Sequence, residues 1–206
     1  MKRLPCLSRG FWYCFKLYKT LGFNAKVFSS VKDDPRTVAG IIESNIDDVA
    51  IFITSGAVSV GDKDIMHDVL KILGVELLFW RIACKPGKVA LFAVYKGKLL
   101  CCLSGNPFAA FINFELLVKP ALAKLSHRKD LQQKRKKAFL ENNFAKSGGG
   151  RRFIRAKFNY DLSSVSLPDN HSSGQIYSLL GCNCLVDIPA SSTDLSVGSE
   201  VEVILL

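Results

Sequence analysis

Asp62 and Asp64, two carboxylates one residue apart, close the small-residue run Ser55-Gly56-Ala57-Val58-Ser59-Val60-Gly61. Glycine lets backbone N–H groups come close to an anion, and the start of a helix adds partial positive charge. Carboxylates repel a bare phosphate. They suit a phosphate accompanied by Mg2+, a hard cation that takes carboxylate oxygens. An ordinary strand-to-helix turn with Asp62 as N-cap also fits these residues. A second loop of the same kind, Ser104-Gly105-Asn106-Pro107, lies downstream. Between the two, Cys84-Lys85-Pro86-Gly87-Lys88 offers two ammonium groups on a rigid turn, and such compact point charges bind anions.

These loops need elements to hold them. Residues 50–54 are apolar and β-branched and read as a buried strand, and Ile65, Val69, Ile72 and Leu73 recur at helical spacing. Residues 99–103 read as the strand before the second loop. Residues 108–117 read as the helix after it, running towards Pro120, with 121–126 continuing it or forming an extra turn. Asp33-Asp34-Pro35 suits the cap of a helix over residues 36–43, with proline at its first position. Upstream, residues 10–21 read as a helix ended by Gly22, followed by a short strand at 25–28. Downstream, residues 76–82 read as a strand, and 88–95 with 98–103 as a hairpin about Lys96-Gly97. This order predicts a mostly parallel sheet with helices on both faces.

Three stretches in order, TSGAVSVGDKD, KPGK and LSGNPFAA, resemble the molybdopterin molybdenumtransferases, the MoeA and gephyrin E-domain family. The resemblance runs from about Phe11 to Leu206 and matches only the C-terminal part of the family. It implies an N-terminally truncated fragment: a molybdopterin-binding, MogA-like α/β domain without its first strand, then a small all-β, barrel-like domain. The activity implied is insertion of molybdate into adenylylated molybdopterin, with Mg2+-dependent release of AMP. The resemblance assigns Asp33, Asp64 and Lys85 to catalysis, and Asp64 with Asp62 to the metal. It assigns Ser55, Gly56, Ser59, Gly61, Arg81, Lys88, Ser104, Gly105, Asn106, Pro107, Arg155 and Ser173 to the substrate; Arg151 and Arg152 compete with Arg155 for its role. The chain departs from the family pattern at Gly10, Ser55, Val89 and Ser104. Ser104 stands where proline is usual, so this loop is expected to be less rigid. The family is dimeric, and a second subunit closes its cleft. Residues 1–206 alone are therefore expected not to turn over, and a non-catalytic molybdopterin-binding or scaffold module is the alternative.

The chain has 206 residues, 49% hydrophobic and 22% charged, a globular rather than disordered composition. Its net charge of +10 favours anionic partners. No nucleic-acid motif accompanies the basic block at 134–137, so DNA or RNA is not the expected partner. No run reaches the ~18 apolar residues of a membrane span. Seven cysteines, Cys6, Cys14, Cys84, Cys101, Cys102, Cys182 and Cys184, include no CxxC pair and read as buried small hydrophobes in a reducing cytoplasm. Adjacent Cys101 and Cys102 on a strand point to opposite faces. The composition divides the chain into an α/β domain at 1–127, a basic linker at 128–137 and a β domain at 138–206. The last holds short strands at 152–159, 165–167, 184–188 and 200–205.

Overall fold

The computed structural model describes residues 19–28, 31–58, 65–145, 149–168 and 180–206. The chain forms two units, Met1–Ile82 with Gly87–Leu131 and Ala83–Pro86 with Gln132–Leu206.

In the first unit, Asp34 caps helix α1 (Pro35–Asn45), with Pro35 in its first turn. The Asp34 Oδ2 accepts from the Thr37 hydroxyl at 2.5 Å and from the Thr37 backbone N–H at 2.7 Å. These two bonds hold the Asp34 carboxyl below its ordinary value of 3.8, so the cap contributes stability at neutral pH and loses it on acidification. A 3-10 turn, Ile46–Asp48, leads into strand β1 (Ile51–Ser55). Helix α2 (Met66–Leu73) ends at Gly74, whose φ of 61° is the left-handed form favoured after a helix. Strands β2 (Glu76–Trp80), β4 (Leu91–Tyr95) and β5 (Lys98–Leu103) complete the sheet; β3 (Cys84–Lys85) belongs to the second unit.

The sheet order is β1-β5-β4-β2. β1 and β5 are parallel, whereas β5–β4 and β4–β2 are antiparallel. The sheet is therefore mixed, which corrects the mostly parallel expectation. A parallel neighbour needs a helical crossover. Here Lys96 and Gly97, both left-handed at φ 48° and 72°, make the tight turn between β4 and β5, and no helix separates β2 from β4. Helices do cover both faces. Phe52, Leu91, Ala93, Leu100 and Cys102 pack with α1 and α2. Ile51, Phe92, Cys101 and Leu103 pack with helix α3 (Pro107–Asn113) and its continuation.

That continuation is a π-helical segment, Phe114–Val118, running into α4 (Lys119–Leu125). Pro120 lacks an N–H and its ring clashes with an α-helical carbonyl before it. One widened turn ahead of the proline removes the clash and keeps the helix going. Residues 25–28, expected as a strand, carry no regular secondary structure. Phe28 stacks on Phe52 at 5.6 Å, so its apolar character serves a side-chain contact rather than a ladder. Most of the helix expected at 10–21 lies outside the described residues; Lys19 and Thr20 are helical and Gly22 is left-handed at φ 79°.

The second unit is a closed barrel of five strands: β6 (Lys134–Leu140), β7 (Arg151–Asn159), β8 (Ser164–Ser166), β9 (Cys184–Ile188) and β10 (Glu200–Leu205). The ring runs β6-β10-β9-β7-β8 and returns to β6 through a parallel β8–β6 pair. β3 adds to β7 in parallel. Alternate residues, among them Leu140, Ile154, Ala156, Phe158, Val186 and Val203, fill the interior. The run expected as a basic linker is instead a 3-10 turn, Lys129–Leu131, followed by β6. Its charges sit on strand pairs: Lys137 meets Glu200 at 2.8 Å, and Arg135 bonds Glu202 on β10. Cross-strand pairing, invisible in a local run of lysines, makes this stretch a strand. Asp187 of β9 is buried and held by two guanidinium groups. Arg151 binds it through Nε at 2.7 Å and Nη2 at 2.6 Å, and Arg135 through Nη1 at 3.0 Å.

Cys84, Cys101, Cys102 and Cys184 are buried. Burial pushes the Cys84 and Cys102 thiols from 9.0 to about 11, Cys184 to about 12, and Cys101 well above its ordinary value. Above pH 9 the unfolded chain releases these protons while the folded chain keeps them, so stability falls as pH rises. Thermal unfolding should show a midpoint that holds through neutral pH and drops between pH 9 and 11. Cys102→Val should reduce the drop without lowering the neutral midpoint.

Candidate functional site

The carboxyl ends of β1 and β5 lie side by side because the strands are parallel and in register, Ser55 opposite Leu103. The chain leaves both strands through glycine. Gly56 is left-handed at φ 97° and donates its N–H to the Leu103 carbonyl at 3.0 Å. A Cβ added to Gly105 would sit 3.4 Å from the Gly56 Cα, so the two turns touch backbone to backbone. Such close approach of two backbones is open to glycine, which carries no Cβ. Open α/β sheets bind ligands at this edge, beyond the strand carboxyl ends.

The Ser55 hydroxyl donates to the Ser104 carbonyl at 3.2 Å, and the Ser104 Oγ accepts from the Asn106 N–H at 3.2 Å. The Asn106 Oδ1 then caps α3 by accepting from the Ala109 N–H at 3.1 Å, with Pro107 opening the helix. Ser104, standing where proline is usual, ties the turn to its own helix cap through this hydroxyl. Ser55, Gly56, Ser104, Gly105, Asn106 and Pro107 thus form one connected wall.

Arg81 and Lys88 reach the same edge by register. β4 runs antiparallel to β5, so Leu91 lies opposite Cys102 and opposite Trp80. The Arg81 N–H donates to the Ala90 carbonyl at 3.0 Å, and the Ile82 N–H to the Lys88 carbonyl at 2.8 Å. Both cations are exposed. Arg81 is left-handed at φ 78°, and its Cζ lies 4.0 Å from the centroid of the Trp80 ring. Gly87, beside Lys88, is seated on α3, where the buried Asn113 donates from Nδ2 to its carbonyl at 2.7 Å.

Other expected residues stand elsewhere. Asp33 is exposed in the turn before the Asp34 cap. Lys85 is on β3 in the second unit, opposite Arg152 of β7. Arg155 is buried on β7 in the second unit, on the strand face opposite Ile154 and Ala156 of the barrel interior. Burial lowers its guanidinium, partly offset by the neighbouring Cys182 thiol. Ser59, Gly61, Asp62, Asp64 and Ser173 lie outside the described residues. The neck of the 59–64 segment is described: the Met66 N–H donates to the Ala57 carbonyl at 3.2 Å, and the Trp80 Nε1 donates to the Val58 carbonyl at 3.4 Å. Sequence reasoning missed Trp80. Its signal was present, an aromatic residue next to the candidate cation Arg81. Among the described residues no group of three or more His, Cys, Asp or Glu gathers to hold a metal, and no helix is long and apolar enough to cross a membrane.

Comparison with known proteins agrees with this geometry. Residues 13–124 match the family described as "Probable molybdopterin binding domain", and residues 137–206 match "MoeA C-terminal region (domain IV)". A molybdopterin molybdenumtransferase of Staphylococcus aureus (strain COL) is 34% identical over 191 residues, covering 92% of this chain and 46% of that protein. One from Staphylococcus epidermidis (strain ATCC 12228 / FDA PCI 1200) is 31% identical over the same span. Among solved structures, a molybdopterin biosynthesis MoeA protein from Pyrococcus horikosii superposes with a TM-score of 0.75 at 28% identity, covering 95% of this chain and 47% of that one. The chain thus spans about half the length of the curated relatives it matches. Its two glycine turns fall within the molybdopterin-binding match and its barrel within the MoeA match, and the chain belongs to the MoeA-type molybdopterin molybdenumtransferase family.

Proposed function

We propose that the chain acts in molybdenum cofactor biosynthesis and binds the phosphate end of molybdopterin at the edge formed by β1 and β5. The observation that carries this reading is the backbone contact of the two glycine turns, 3.4 Å from a Gly105 Cβ to Gly56, with Arg81 and Lys88 at the same edge. Bare main-chain groups and exposed cations are what a phosphate needs. The reaction we assign is that of the family: cleavage of the adenylate of molybdopterin, releasing AMP, as molybdate goes onto the dithiolene. Gly56, Gly105, Ser55, Ser104 and Asn106 shape the phosphate wall. Arg81 and Lys88 neutralise charge. Asp33, Lys85, Arg155, Ser59, Gly61 and Ser173 complete the assignment, and the whole protein acts as a homodimer.

Mg2+ belongs to this proposal through its donor set. Asp62 and Asp64 offer hard carboxylate oxygens on a segment whose two ends are tied at Ala57 and Met66 beside the phosphate wall. Two carboxylates plus phosphate oxygens and waters suit the ion, which keeps several waters when bound. When bound it supplies charge neutralisation at the phosphate oxygens.

The test places Asp64→Asn and the unchanged sequence each in a protein carrying the family's full length, supplied with adenylylated molybdopterin, molybdate and Mg2+. The substitution should weaken Mg2+-dependent AMP release. Equal AMP release by both proteins removes Asp64 from the mechanism. A second reading, a molybdopterin-binding module without turnover, is favoured by the departures from the family pattern at Ser55, Val89 and Ser104. Stoichiometric molybdopterin binding without AMP release selects it.

A further inference from the structure

We propose that Asn113 is a positioning residue for Lys88: its buried carboxamide fixes the peptide from which the Lys88 side chain leaves, and helix α3 ties that cation to the Ser104–Pro107 turn. The proposal rests on the reading of this edge as a phosphate site.

The direction in which a side chain leaves follows from the two peptide planes beside its Cα, since these set φ and ψ. Both planes beside Lys88 are held. The Gly87 carbonyl, in the plane before it, accepts from the Asn113 Nδ2 at 2.7 Å. The Lys88 carbonyl, in the plane after it, accepts from the Ile82 N–H at 2.8 Å. The second bond is main chain to main chain, open to any residue but proline at position 82. The first depends on one side chain. It acts where the chain is most in need of it, because Gly87 is left-handed at φ 94° and glycine has wide backbone freedom unless its neighbours fix it. The exposed Lys88 ammonium sits at the end of a flexible four-carbon stem, so its reach is only as well defined as the peptide that carries it.

Asn113 is fully buried, and its Oδ1 has no hydrogen-bond partner among the described residues. A buried amide left half-satisfied costs free energy, whereas an apolar side chain of like volume would fill the place without that cost. What the amide supplies in return is the bond to Gly87. Helix α3 links this bond to the other wall of the site. Asn106 caps the helix from the second glycine turn, and it stands about two turns before Asn113 on the same helix face. A Cβ built on Gly87 would meet Ala109, Ile112 and Asn113, so the peptide before Lys88 is seated on that one face. One short helix therefore starts at the Ser104–Pro107 turn and ends on the peptide that aims Lys88. An anion that uses both the turn and the cation needs them held in register.

Titration calorimetry on the full chain tests this, with inorganic pyrophosphate as the probe. Lys88→Met removes the cation and should weaken binding about 10-fold. Asn113→Leu fills the same space without the donor. It should weaken binding about 3- to 5-fold, the cost of ordering a long side chain that is no longer aimed. The decisive measurement is Asn113→Leu in the Lys88→Met background, where it should change the affinity by less than about 1.5-fold, because a residue that acts through Lys88 has nothing left to act on. A merely structural asparagine would weaken binding by the same factor in both backgrounds. Asn113→Ser, whose hydroxyl is one atom too short to reach Gly87, replaces Asn113→Leu if urea unfolding shows the leucine variant unfolded, and the same non-additivity is expected of it. Failure of the unchanged protein to bind pyrophosphate overturns the phosphate reading and this proposal with it. Binding by Lys88→Met as tight as that of the unchanged protein overturns the proposal and leaves the glycine turns as the phosphate wall. Equal weakening by the Asn113 change with and without Lys88, or none in either, overturns the positioning role alone.

Discussion

Gly87→Ala destabilises the first unit by about 3 kcal/mol, summing left-handed strain of roughly 1–2 kcal/mol and a disrupted buried hydrogen bond of roughly 1–2 kcal/mol. Gly87 is buried with φ at 94°, where an L side chain is strained. The added Cβ would stand 2.9 Å from the Asn113 Nδ2, 3.3 Å from the Ile112 Cγ2 and 3.4 Å from the Ala109 carbonyl. Asn113 has to move, and it is fully buried and bonded to the Gly87 carbonyl itself. Gly74→Ala is the control. That glycine is also left-handed, at φ 61°, but a Cβ there meets nothing within 4 Å, so about 1 kcal/mol of strain is all it should cost. Urea unfolding of both variants should separate the two effects. Combining Gly87→Ala with Asn113→Ala should cost less than the sum, since the second change removes the obstacle created by the first. Equal losses for Gly87→Ala and Gly74→Ala would show that the α3 contact is not limiting.

Asp187→Leu acts on the barrel. Asp187 is 3% exposed and accepts from Arg151 and Arg135 together. Its carboxylate holds the Arg151 guanidinium above its ordinary value, against partial burial. Removing the carboxylate leaves two like charges facing one another over leucine. Breaking a buried charge pair costs about 3–5 kcal/mol; the lower end, about 3 kcal/mol, applies because both arginine side chains keep a route to water. Their exposures, 38% and 47%, are what set that lower end. Asp187→Asn, which keeps one acceptor oxygen, should lose less. A denaturant midpoint for Asp187→Leu within error of the unchanged chain would mean that the arginines find Glu202 or solvent at no cost.

What the sequence made legible follows how local each feature is. The two glycine turns, the Asp34–Pro35 cap and the hairpin at Lys96-Gly97 are written in three or four adjacent residues, and each stands where its residues place it. The mixed sheet was not legible, because strand direction depends on what joins β2 to β4 rather than on either strand. Strand β6 was hidden for the same reason: a run of lysines and arginine reads as solvated until Glu200 and Glu202 lie opposite. In the site, the wall from Ser55 to Pro107 was legible from its motifs. Two contacts were not, the Ser104 hydroxyl on Asn106 and the Arg81 guanidinium on Trp80. The first is set by a turn and the second by a left-handed residue, and neither leaves a periodicity to read.

The barrel is built from two pieces of chain far apart in sequence, since β3 pairs with β7 and joins the same unit. During synthesis β3 emerges before every strand of the ring it will join, and it must wait while the sheet-forming residues that follow it fold around their own core. At roughly 5–20 residues per second, the interval before Arg151 leaves the ribosome lasts several seconds. For that time β3 has no neighbour to pair with. A slowed elongation there would prolong the exposure of an unpaired strand, and a cut between Leu131 and Gln132 would release a barrel missing the one strand made before it.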